Sequence, residues 1–362
     1  MTMTARSAGV SATSLAAGSS DWRAAAIAML SVRLIQGFIY WGGGSRRFIY
    51  DPSKLDPEAP SWMANKLQTA IPGALFGLNH ALAFLLHHFW LLYAAILLFS
   101  AVELVVGFAL MAGLLTRLAA LLSIGLSISL MLLFGWQGGT CIDEWTMASC
   151  NVAMGATLML AGGAAYSLDN AWLRRDPALA QQAWFRWCGG SLKLPVNNDR
   201  FRNLALSVLA FVIAFDVGLY SYYRGSVFTP YHGGPVSAAA HPLTLSNATI
   251  LADGGVRFTL ALDGGTPALP AHVMKVEVVD PDGKALATWD LQSLSALPAS
   301  AIVNDFPYNR FKLGPYGLQG GMGASAIVTL PPTANAASPT SGAQLRVTDV
   351  DGQTFTSTFA PA

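Results

Sequence analysis

The sequence predicts an all-α membrane bundle, with four core helices and a fifth tethering helix, followed by an all-β Ig-like sandwich domain. Three observations carry this. Charged residues make up only 11% of the 362 residues and hydrophobic ones 53%, against about a quarter charged in soluble chains. Five apolar stretches, at 24–42, 89–115, 118–136, 146–166 and 203–222, meet the roughly 20 residues that a bilayer core demands of a helix. From Gly225 onward the pattern changes to short alternating runs broken by turn residues.

Each element follows in order. Residues 1–22 are rich in Ser, Ala, Thr and Gly and read as a disordered cytoplasmic tail. The stretch that follows lacks a basic n-region, so it reads as an uncleaved first span. The second and third spans are separated only by a turn around Thr116 and Arg117, which makes them an antiparallel hairpin. Ile71–Leu86 is apolar but short and broken by Gly73, Gly77 and His80, as suits an interfacial helix. The link after the fourth span carries Arg174, Arg175, Arg186, Lys193, Arg200 and Arg202, which places it in the cytoplasm. The N-terminus is then inside and everything after Arg224 outside, with 43–88 outside despite Arg46, Arg47, Lys54 and Lys66. These readings divide the chain into a tail (1–22), a four-span domain (23–190), a linker with the fifth helix (191–224) and the sandwich (225–362). In the sandwich, Val256–Leu262, Val273–Val279, Ser325–Leu330 and Gln344–Val350 are strands, and Asp282-Gly283 and Asp351-Gly352 are hairpin turns.

The net charge of +1 argues against nucleic acid, which needs clustered basic charge. Three cysteines are too few for a disulfide scaffold. The run Arg33-Leu-Ile-Gln-Gly-Phe-Ile-Tyr-Trp-Gly-Gly-Gly-Ser-Arg-Arg-Phe, followed by Tyr50-Asp-Pro-Ser-Lys-Leu-Asp-Pro, resembles the start of the DoxD subunit of thiosulfate:quinone oxidoreductase. Phe306-Pro-Tyr-Asn-Arg-Phe, Gly314-Pro-Tyr-Gly-Leu, Met322-Gly-Ala and Leu330-Pro-Pro resemble the DoxA subunit, in that family's order. The resemblance implies a fused protein of the inner membrane that oxidises thiosulfate to tetrathionate outside the membrane and reduces a quinone.

That chemistry asks for an anion site, access to quinone and a two-electron relay. Gly317–Gly323 lies among strands and opens no helix, so it is a poor dinucleotide site. No haem motif or iron–sulfur spacing is present. Quinone is therefore expected as the electron-accepting co-substrate, with no bound flavin, haem or metal. Cys141 and Cys150 fall on the outer side, where a disulfide between them could be the relay; a plain loop-closing disulfide or two unpaired residues are the alternatives. Arg33 and Glu103 sit near the middles of the first two spans, where charge is expensive. They would form an ion pair, serving either quinone and its protons or helix register. Asp216 either faces the bundle or approaches the outer interface.

For the anion, Arg46 and Arg47 offer fixed donors or else snorkel to headgroups. His80, His87 and His88 follow them, and adjacent His87 and His88 diverge too far on a helix to share one metal. Tyr308, Asn309 and Arg310 either complete the anion site or form an exposed turn. Membrane lipid, quinone and thiosulfate are the expected partners, with a homo-oligomer as one option. Two rival readings remain: a non-catalytic anchor or assembly subunit for a separate redox protein, and an anion transporter.

Overall fold

The computed structural model describes residues 24–25, 27–137, 144–163, 166–225, 242–265, 270–333 and 342–359. The tail, 1–22, and Cys141 lie outside the described residues. The helices are α1 (Leu30–Ser45), α2 (Met63–Ala70), α3 (Leu78–His87), α4 (Phe89–Ala112), α5 (Thr116–Phe134), α6 (Glu144–Ala161), α7 (Leu168–Arg175), α8 (Ala183–Cys188), α9 (Asn198–Tyr223) and α10 (Leu291–Ser295). The chain forms two compact units: Met1–Pro52 with Leu97–Ser129 and Ala148–Asp216, and Ser53–Ile96 with Leu130–Met147 and Val217–Ala362.

Among the described residues, three helices are long and apolar enough to cross a membrane: α4, α5 and α9. The expected first and fourth spans form shorter helices. α1 has 16 residues and carries Arg33, Gln36 and Tyr40, and α6 has 18 and carries Ser149 and Asn151. Their polar side chains point inward: Arg33, Gln36, Tyr40 and Asn151 are all buried. α1 does not stop at Ser45 but runs on as a π-helical turn, Arg46–Tyr50. The expected hairpin turn between α4 and α5 falls at residues 113–115, just ahead of Thr116.

In the first unit, the core is Tyr40, Val106, Leu110, Ala119, Ala120, Leu126 and Leu158. Glycines let α1 and α4 approach backbone to backbone, the usual device where helices meet in lipid. A Cβ on Gly37 would stand 2.7 Å from the Met111 amide nitrogen, and one on Gly44 2.6 Å from that of Leu104. Both glycines are buried and lie two helical turns apart on one face.

The second unit contains α2, α3 and an all-β domain. Its strands are β1 (Leu243–Ile250), β2 (Val256–Leu262), β3 (Ala271–Val279), β4 (Ala285–Trp289), β5 (Ile302–Asn304), β6 (Lys312–Gly314), β7 (Gly317–Gly320), β8 (Ser325–Leu330), β9 (Gln344–Asp349) and β10 (Thr354–Thr358). One antiparallel sheet has the order β1-β2-β8-β5; the other has β10-β9-β3-β7-β6, with β4 also paired to β3. The alternation seen in the sequence is what buries each inner face: Val256, Phe258, Leu260 and Leu262 of β2 are buried, as are Leu345 and Val347 of β9. Gly283 and Gly352 take φ of 82° and 79° in the β3–β4 and β9–β10 turns, the conformation that Asp-Gly was expected to supply.

Candidate functional site: a polar stripe inside the helical unit

The polar residues of α1 follow helical spacing. Positions 33, 36, 40 and 47 stand three, four and seven apart, which aligns them on one face. Their partners lie on the helices packed against that face. Gln36 Nε2 donates to Ser123 Oγ of α5 at 3.2 Å and to the Asn151 carbonyl of α6 at 2.8 Å. The Tyr40 hydroxyl is 2.5 Å from Ser127 Oγ and donates to the Ser123 carbonyl at 2.8 Å. At the π-helical end, Arg47 forms an ion pair with Glu103 of α4 and donates to Ser100 Oγ at 3.4 Å. Gly43 makes room for the carboxylate, since a Cβ there would lie 2.5 Å from Glu103 Oε1. The oxygens Gln36 Oε1 and Asn151 Oδ1 are buried and accept no hydrogen bond, so the stripe keeps acceptor capacity for a donor.

The expected Arg33–Glu103 ion pair does not form. Arg33 donates to the carbonyls of Gly163 at 2.9 Å and Tyr166 at 2.7 Å, and Glu103 belongs to Arg47. The reason is length along the helix: residues 33 and 47 are separated by about 21 Å at 1.5 Å per residue. Centring the first span on the apolar stretch 24–42 placed Arg33 at mid-depth, whereas the helical run extends to Tyr50.

Two further charged residues in this unit carry structure that sequence reading missed. Asp169 is fully buried and accepts from Leu115 N at 2.7 Å, Thr116 N and Oγ1 at 3.0 Å each, and Gly190 N at 2.8 Å. Arg117, read only as a topology marker, is buried and donates to the carbonyls of Gly189 at 2.6 Å and Leu192 at 2.7 Å. Together they clamp the segment that follows α6. Asp216 faces α6, accepting from Ser149 Oγ at 2.8 Å.

The other expected site residues are placed as follows. Arg46 is exposed at the start of the π-helical turn. Cys150 is exposed on α6 and is bonded to no other cysteine among the described residues, which do not include Cys141. In the second unit, the His87 ring lies tilted by 32° against Phe306 with centroids 4.8 Å apart, its Nε2 3.9 Å from Asp305 Oδ1. His88 Nδ1 bonds the Phe84 carbonyl at 2.7 Å. No group of three metal-ligating side chains occurs among the described residues.

Tyr308 and Asn309 meet the helices rather than open space. Tyr308 packs on the cluster of Trp62, Ala64, Leu86, Leu92, Ile96 and Phe306, and burial pushes its hydroxyl pKa upward. Gln68 of α2, fully buried, accepts from Asn309 N at 2.8 Å and donates to the carbonyls of Asn309 at 2.8 Å and Gly323 at 2.9 Å. Asn309 Nδ2 donates in turn to the carbonyls of Asn65 and Met322, at 2.9 Å each. Asn309 is thus spent on joining β-domain loop to helix, and Arg310 is the exposed member of the trio.

Comparison with known families agrees with this division of labour. Residues 28–194 match the family model described as DoxD, TQO small subunit, and residues 235–358 match that described as DoxA, TQO small subunit. No solved structure matches the chain. The first match spans the polar stripe and its clamps, the second the β-sandwich with its Asn309 junction. Taken with the apolar helices, this makes the protein a membrane protein, and the chain belongs to the DoxD and DoxA small-subunit families of thiosulfate:quinone oxidoreductase, fused in one polypeptide.

Proposed function

We propose that the chain oxidises thiosulfate to tetrathionate and passes the electrons to the quinone pool. On this reading it is a multi-pass protein of the inner (cytoplasmic) membrane, with the N-terminus in the cytoplasm and the β-sandwich on the outer side. The observation that carries the proposal is the α1 stripe, ending in the Arg47–Glu103 pair, within the region that matches DoxD. An apolar bundle holds such groups only at a cost, and buried ionisable groups in membrane helices commonly serve transport or proton relay. Quinone reduction consumes two protons, and Glu103, with Tyr40 and Ser127 a few turns away, offers groups to carry them.

Cys141 and Cys150 are assigned the electron relay. The sulfane sulfur of one thiosulfate attacks their disulfide, breaking the S–S bond and leaving one thiolate and one protein-bound S–S–SO₃⁻ adduct. A second thiosulfate attacks the sulfane sulfur of the adduct and leaves as tetrathionate, displacing the second thiolate; two protons taken up from the outer solution give the dithiol. Quinone takes the two electrons and two protons and restores the disulfide. Arg46, exposed beside the ion pair, supplies positive charge for the dianion.

Purified protein, free of other redox proteins, is mixed with thiosulfate and a short-chain quinone. The expected result is quinone reduction with tetrathionate formation, lost in Cys141→Ser and in Cys150→Ser and reduced at least tenfold in Glu103→Gln. Activity surviving both cysteine substitutions discards the relay; absence of activity in folded protein discards the enzyme in favour of an anchor subunit.

A further inference from the structure

The segment from Gly162 to Leu194 is built more firmly than a linker requires. Through Asp169, Arg117 and Arg33, all buried, seven of the hydrogen bonds given above tie it to α1, to α5 and to the turn ahead of α5. What this rigid frame holds outward is aromatic and basic. Leu168, Trp172 and Arg175 stand at i, i+4 and i+7 of α7, and so share one face; Trp184 and Trp187 share a face of α8. The two faces join, because the Trp172 and Trp184 rings lie 5.9 Å apart, with Phe185 between them at 6.0 and 5.6 Å.

These tryptophans are exposed, 41% for Trp172, 46% for Trp184 and 51% for Trp187. Three large indoles held open on a fixed frame are not explained by the packing of this unit. The charge around them is predominantly basic. Residues 166–202 contain six Arg or Lys and three Asp. Of the three acids, Asp169 is buried, Asp176 caps the Ala178 amide and Asp199 lies 3.6 Å from Arg202. Arg174, Arg175 and Lys193 remain exposed, with Arg175 on the α7 face that carries Trp172.

We propose that this segment is a binding platform for anionic phospholipid headgroups. Indoles suit the headgroup level, being apolar in body and polar at the N–H, and the guanidinium fork matches phosphate oxygens in a way a zwitterionic surface does not reward. The occupant is the anionic leaflet rather than a protein, because cationic charge and interfacial aromatics stand together at the ends of the apolar helices α4 and α5. The proposal rests on the membrane assignment and not on the reaction.

The test uses the full chain in nanodiscs of phosphatidylcholine containing 30% phosphatidylglycerol, with bromine placed on one lipid or the other. Quenching at the platform is the difference between wild type and Trp172→Phe/Trp184→Phe/Trp187→Phe, which preserves the ring packing. Brominated phosphatidylglycerol is expected to quench more than twofold beyond its share of the bilayer. Affinity for phosphatidylglycerol should fall about fivefold for each basic residue removed, and the enrichment should vanish in Arg174→Gln/Arg175→Gln/Lys193→Gln at an unchanged thermal midpoint. Equal quenching by the two lipids, or enrichment that survives the charge-neutral variant, overturns the proposal. So does protection of these tryptophans from both lipids, which would mean that another protein or a second copy covers them.

Discussion

Replacing Gln68 by Leu should release the β-domain loop from the helices it sits on. The substitution nearly keeps the side-chain volume and removes three hydrogen bonds, those with Asn309 N, Asn309 O and Gly323 O. Each buried backbone group left without a partner costs about 1–3 kcal/mol. Gly323 cannot retreat easily: its φ is 78° and it lies directly on the Gln68 backbone. Asn309 is only half-buried, so water recovers part of its loss, and we expect a total near the lower bound, about 3 kcal/mol. At about 1.4 kcal/mol per tenfold, the Asn309 amide should exchange its hydrogen about 100-fold faster. The assay is hydrogen exchange of the full chain in nanodiscs, read at residues 305–323. Gln292→Leu, on an exposed position of α10, is the matched control and should leave exchange unchanged. Exchange at Asn309 that rises less than threefold in Gln68→Leu would mean that the Gln68 carboxamide does not hold this loop.

Three more outcomes follow from the first unit. Arg47→Met and Glu103→Gln should each destabilise, the former by about 3 kcal/mol because it strands a buried carboxylate. The double variant should recover at least 1 kcal/mol of the sum in a thermal or denaturant double-mutant cycle, whereas independent sites add to within about 0.5 kcal/mol. Gly44→Val drives a side chain into the α4 backbone and should cost about 3 kcal/mol, seen as a lower unfolding midpoint; Gly42→Ala, which meets nothing within 4 Å, should be neutral. Asp169→Asn leaves a donor facing at least one amide N–H and should cost about 2–3 kcal/mol. It should show as faster hydrogen exchange from Gly162 to Leu194 with little change in the β-domain.

The β-domain was largely legible in advance. Alternation gave β2 and β8 to the residue and β3 and β9 to within two, because one face of each strand is buried and the period of two leaves no other register. Asp-Gly dipeptides marked both hairpins for the same local reason. In the helical unit, hydropathy found the apolar helices but mispaired their charges. Depth was read from the centre of an apolar stretch, and nothing in Arg46–Tyr50 announces that the helix continues as a π-turn and carries Arg47 to Glu103. Asp169 and Arg117 were invisible as clamps for another reason: their partners are backbone groups that only the folded chain brings near. Gln68 had no signature at all, since one glutamine in a short polar helix is ordinary until its carboxamide meets Asn309.

On the proposed function, the fused chain alone couples thiosulfate oxidation to quinone reduction. The direct measurement is stoichiometry with purified protein in nanodiscs: thiosulfate consumed, tetrathionate formed and quinol formed, followed in one reaction. Two thiosulfate should be consumed for each tetrathionate and each quinol formed, with no other redox protein present. Quinol formation without tetrathionate, or turnover that appears only when a second redox protein is added, would contradict it.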